Sequence, residues 1–81
     1  MSELYKRYVD VIVRMQKDGK MVPLKLVWDN GIEYEIDKIL SVEKHASEVG
    51  GGGIRYAVMI CGKRRNLFYE RDRWFIESVQ P

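Results

Sequence analysis

Apolar residues in this chain recur at every second position along most of its length, and short Gly- or Asp-bearing breaks separate the runs. Side chains two apart share one face of a strand, whereas a helix face needs spacings of three and four. The pattern therefore commits the chain to half-buried strands joined by tight turns. Val9, Val11, Val13 and Met15 lead the first run, which ends at Lys17-Asp18-Gly19-Lys20. A second run, Val22 to Asp29, puts Leu24, Leu26 and Trp28 on one face and Lys25 on the other. Pro23 cannot donate a ladder hydrogen bond and suits the start of that strand or an edge. Asp29-Asn30-Gly31 follows, and Asn-Gly predicts a two-residue type I′ hairpin.

In the third run Ile32, Tyr34 and Ile36 oppose Glu33, Glu35 and Asp37, and the phase shifts at Ile39-Leu40. A bulge there would let one long strand serve two sides of a barrel; a short helix across 37–46 is the competing reading. Ser47 to Gly53, with four consecutive glycines, reads as a flexible loop. Ile54 to Cys61 reads as a strand, Gly62 to Asn66 as a basic turn, and Leu67 to Glu70 as a short strand. Arg71-Asp72 reads as a tight turn and Arg73 to Val79 as the last strand, with Trp74 and Ile76 inward. Trp28, Tyr34, Val58 and Trp74 are the expected core anchors.

Hairpins in sequence order make a meander, and a small meander removes its exposed edges by closing on itself. The expected fold is all-β: an antiparallel meander of five or six strands closing into an SH3-like barrel, one domain over residues 1–81. An open curved sheet covered by one short helix is the alternative. A chain of 81 residues buries only about 60–65% of the surface its unfolded form exposes, which leaves no deep substrate cavity and weighs against an enzyme. With one cysteine, Cys61, no internal disulfide can form, and a reducing, cytoplasmic setting is expected. The first residues carry no apolar signal-peptide core, and no apolar run approaches the roughly 20 residues that span a bilayer.

Candidate chemistry is sparse. His45 is the only histidine and lacks companions for a metal site. Cys61 has no nearby base and is expected to pack as a small hydrophobe. Glu33, Glu35 and Asp37 read as a solvated face paired with Lys25. The four glycines lead into a strand rather than a helix, so no phosphate loop is expected. Neither a cofactor nor a small-molecule substrate is implied.

The charge is uneven. Residues 1–48 hold 8 Lys/Arg against 9 Asp/Glu, and residues 49–81 hold 6 against 3. The basic set is Arg55, Lys63, Arg64, Arg65, Arg71 and Arg73. If adjacent turns gather these charges beside Phe68, Tyr69 and Phe75, they form an arginine-plus-aromatic surface of the kind that binds single-stranded nucleic acid.

The order Pro23-Leu24-Lys25-Leu26-Val27-Trp28-Asp29-Asn30-Gly31, Tyr34-Glu35-Ile36-Asp37-Lys38-Ile39-Leu40, Gly53-Ile54-Arg55-Tyr56, Leu67-Phe68-Tyr69-Glu70 and Arg73-Trp74-Phe75-Ile76-Glu77 resembles a group of small bacterial proteins often encoded beside Y-family translesion DNA polymerases. The resemblance covers nearly the whole chain. It implies an SH3-like barrel and an accessory role near DNA-damage tolerance and repair, and no catalytic residue. Two functions are therefore expected: a non-enzymatic protein-interaction module, with a translesion polymerase or another protein as partner through strand edges and aromatic grooves, or a nucleic-acid-binding barrel using the six basic residues.

Overall fold

The computed structural model describes residues 5–46 and 52–78. Ser47 to Gly51 of the glycine loop lie outside the described residues, as do both termini, Val79 included, and the side chain of His45. Six strands follow one another: β1 (Tyr5–Met15), β2 (Met21–Val27), β3 (Glu33–Ala46), β4 (Gly52–Ile60), β5 (Lys63–Glu70) and β6 (Arg73–Ser78). All pairings are antiparallel and the order β1-β2-β3-β4-β5-β6 closes on itself, so the expected all-β barrel is the fold.

Two long strands make the closure possible. β1 pairs with β6 over Tyr5 to Val9, then with β2 from Asp10 to Met15. β3 pairs with β2 through Glu33 to Glu35, then with β4 from Ile36 onward. The expected bend in β3 consists of two register shifts, between Ile36 and Lys38 and between Ile39 and Ser41. Residues 37–46 are strand, not helix. Each shift inserts an extra residue, which adds local twist and turns the strand from one sheet to the other.

A third register shift corrects the reading of β2. Ile12 faces Lys25 and Val13 faces Pro23, leaving Leu24 as the extra residue. Leu24 is 42% exposed in consequence, while Pro23 is buried past the strand's start, in the stretch of β2 that pairs with β1 alone and so at the expected edge. The core packs Val9, Leu26, Tyr56, Val58, Ile60, Leu67, Trp74 and Ile76. Of the expected anchors, Val58 and Trp74 are buried, and Trp28 and Tyr34 are half-buried against this cluster.

The turns divide against expectation. Gln16 to Lys20 and Trp28 to Ile32 close as the Gly19 amide donates to the Gln16 carbonyl (2.9 Å) and the Gly31 amide to the Trp28 carbonyl (2.8 Å), with φ of +92° and +83° at the glycines. Both are three-residue loops with glycine in the left-handed position; Asn30 does not have positive φ, so the two-residue Asn-Gly turn is not formed. Asn30 instead accepts a hydrogen bond from the Ile32 amide at 3.0 Å. The two-residue turns are Cys61-Gly62 and Arg71-Asp72, with φ of +53°, +75°, +50° and +64° in order. Cys61 thus leaves the strand, is exposed, and does not pack as a hydrophobe.

Candidate functional site

Consecutive turns of a meander lie at opposite ends of the strand between them. Lys63, Arg64 and Arg65 begin β5, and Arg71 follows its end. Seven residue steps of about 3.3 Å put those ends roughly 23 Å apart. The six basic residues therefore do not share a surface. Arg55, on the outer face of β4, is ion-paired with Glu43 across the β3–β4 ladder. Arg73 lies over the ring of Tyr8, 4.1 Å from its centre, and donates to its hydroxyl at 3.3 Å. Arg71 is exposed at its turn.

The aromatic residues expected beside them are also not available for stacking. Phe68 and Phe75 point outward from β5 and β6, yet are 1% and 0% exposed. Their rings stack on each other at 4.9 Å and 6°, and Tyr8 meets Phe75 edge-on at 5.9 Å. Lys6 reaches across from β1: its Nζ sits 4.7 Å from the centre of the Phe75 ring and 3.7 Å from Glu70 Oε1. Tyr69 faces the other way, packing on Trp74 at 5.0 Å. This outer face is closed by the chain's own charges.

The mouth of the barrel differs. In β5, Lys63 stands opposite Ile60 and Arg65 opposite Val58, so both share the inner face, while Arg64 lies outside in a row with Met59 and Lys38. Leu26, Ile60 and Ile76 form the floor of an open recess of about 400 Å³, with Trp28 and Tyr34, the cations Lys63 and Arg65, and one carboxylate, Glu77, around it. That volume lies in the range of small ligand sites, which are mostly apolar with a few placed polar groups. Neither Lys63 nor Arg65 has an ion pair among the described residues. The mouth thus offers an apolar floor, two aromatic rings, one carboxylate and two cations with no ion pair among the described residues.

The sequence reading missed this arrangement because it placed Lys63 to Arg65 in a turn. The signal was present: continuing the alternation of Leu67 and Tyr69 backwards puts Arg65 and Lys63 on the inner face.

A second recess, about 870 Å³, opens where β1 leaves β6 for β2, lined by Tyr8, Trp28 and Trp74 with Asp10, Asp29, Asp72 and Arg73. Arg7 is ion-paired with Asp29 and lies over the Trp28 ring at 4.4 Å. Tyr69 donates to Asp72 Oδ1 at 2.9 Å. That hydrogen bond to the neutral phenol, with the neighbouring carboxylate charge, raises the Tyr69 pKa. Burial raises that of Tyr56, whose hydroxyl donates to the Met21 carbonyl at 3.2 Å.

Closure consumes part of the strand edges expected to take a partner. Among the described residues, one side stays unpaired along residues 10–15 of β1, 21–24 of β2, 36–46 of β3, 63–66 of β5 and 77–78 of β6, so edges remain there. Lys25 pairs with Glu33 at 3.4 Å, as the acidic face of β3 led one to expect. No cluster of three or more metal-ligating side chains forms among the described residues, and none of their helices is long and apolar enough to cross a membrane. Compared with family models, curated proteins and solved structures, the chain matches none.

Proposed function

We propose that the protein is an interaction module, without catalytic activity, that takes a short segment of another protein into the barrel mouth. The observation that carries this reading is the pair Lys63 and Arg65, which have no ion pair among the described residues and outnumber the one lining carboxylate, Glu77, beside the apolar floor of Leu26, Ile60 and Ile76. A cation that a chain does not neutralise itself, beside water-exposed apolar surface, complements a ligand with both an aliphatic side chain and a carboxylate. Small peptides bind such grooves through one apolar anchor and flanking charge. The partner segment accordingly carries Leu, Ile or an aromatic residue next to Glu or Asp. A segment of a translesion DNA polymerase is the first to try, on the strength of the resemblance noted above.

The nucleic-acid reading draws less support. Its six basic residues are divided between two ends of β5 and an ion pair, and Phe68 and Phe75 are buried. Selection of twelve-residue peptides from a random display library tests the two readings together. Enriched peptides should pair an apolar anchor with acidic neighbours, and Lys63→Glu with Arg65→Glu should weaken them at least tenfold. Absence of such peptides, with single-stranded DNA bound and its log affinity falling against log salt by about 0.7 per phosphate contact, would replace this reading with the other.

A further inference from the structure

The mouth and the second recess are neighbours, because Trp28 lines both. Across Trp28 the chemistry inverts. On one side Lys63 and Arg65 outnumber one carboxylate, Glu77; on the other three carboxylates, Asp10, Asp29 and Asp72, outnumber the guanidinium of Arg73. Asp29 is taken by Arg7 and Asp72 accepts from Tyr69, but Asp10 is exposed and engages no described residue. Rings beside carboxylates receive ammonium and guanidinium groups. Two rings of this recess already do so within the chain: Trp28 carries Arg7 at 4.4 Å and Tyr8 carries Arg73 at 4.1 Å.

These two arginines are not held alike. Arg7 is half-buried and ion-paired with Asp29. Arg73 is exposed and held by Tyr8 alone, through the ring face and a hydroxyl contact at 3.3 Å, although Asp10 and Asp72 line the same recess. An exposed contact of this kind is weak. Arg73 can therefore swing away and leave the Tyr8 face and the carboxylates to another cation.

We propose that the partner segment crosses Trp28, with its acidic residues over Lys63 and Arg65, its apolar residue on the floor between, and a lysine or arginine in the Tyr8–Asp10–Asp72 recess, where it displaces Arg73. This rests on the reading of the mouth as a peptide site and adds the second half of the ligand. Charge complementarity selects one extended polypeptide of mixed charge. A nucleic acid would bring phosphates onto Asp10 and Asp72, which repel it.

Titration calorimetry with synthetic eight-residue peptides tests the proposal. One set carries two glutamates, a central leucine and two lysines, in that order and in the reverse order. A control set has the lysines replaced by alanine. In one of the two orders the lysines should tighten binding about fivefold, and Asp10→Asn with Asp72→Asn should return the affinity to that of the control peptide. Arg73→Ala should tighten the lysine peptide two- to fivefold and leave the control unchanged, because it removes the competitor. If the lysines add nothing in either order, or if Arg73→Ala weakens the lysine peptide, the proposal is overturned while the mouth reading stands on the control peptide. If the control peptide itself does not bind, both are overturned.

Discussion

The outer face of β5 and β6 and the mouth of the barrel are built from the same ingredients, aromatic or aliphatic surface with long cationic side chains beside it, and they end in opposite states. On the outer face Phe68 and Phe75 lie under Lys6, whose ammonium is met by Glu70. At the mouth, Leu26, Ile60 and Ile76 lie beneath Lys63 and Arg65, and no described carboxylate meets either cation. Long charged side chains shield apolar surface well when their heads are anchored. A cation anchored within the chain is a cover; one with no ion pair among the described residues is, on the proposed reading, where a ligand's carboxylate would sit. The comparison teaches that exposure alone does not locate a binding surface, and that the disposition of counter-charges does.

The largest effect that separates the two regions is on stability. Phe75→Ala removes a fully buried ring and should cost about 3–5 kcal/mol, much of the roughly 5–15 kcal/mol that holds a small domain. Trp28→Ala, half-buried at the mouth, should cost about half as much while abolishing peptide binding. Urea denaturation of both variants gives the order, and the reverse order would break the comparison.

Alkaline titration comes next in size. Tyr56 and Tyr69 have folded pKa values above the ordinary value near 10, so the folded state resists ionisation that the unfolded chain undergoes freely. Their contribution is complete below about pH 10 and is lost as pH rises through the raised folded values. Stability should therefore fall as pH rises above 10, and Tyr56→Phe should lessen that fall in denaturation midpoints measured from pH 8 to 11.

A smaller effect sharpens the account of the outer face. Lys6→Ala breaks a half-exposed ion pair and uncovers Phe75, at a cost of no more than about 1 kcal/mol, and should leave the binding of peptides at the mouth unchanged. Least of all, Cys61→Asn should raise stability by about 0.5 kcal/mol, since asparagine accepts the left-handed conformation that Cys61 holds at φ +53°.

The fold was legible because strand alternation is a local property. Val58, Trp74 and Ile76 fall inward wherever the ladder partners lie, and the bend in β3 is visible as a phase change at Ile39-Leu40. Features that depend on pairing were not. Leu24 reads as inward until the bulge against Ile12 and Val13 turns it out. Phe68 and Phe75 read as surface because their cover comes in part from Lys6, which is remote in sequence. The basic residues were assigned to adjacent turns, whereas β5 holds the two turns apart and sorts Lys63 and Arg65 from Arg64 by face. The site emerges only when the start of β5 is read as strand.

The most direct test of the central claim is amide chemical-shift mapping of the ¹⁵N-labelled protein titrated with the glutamate–leucine–lysine peptide. The account predicts shifts concentrated at Leu26, Trp28, Tyr34, Ile60 to Arg65 and Ile76, extending to Tyr8, Asp10 and Asp72 when the lysines are present. Shifts centred on Ala57, Phe68 and Phe75, or titration unchanged by Lys63→Glu with Arg65→Glu, would contradict it.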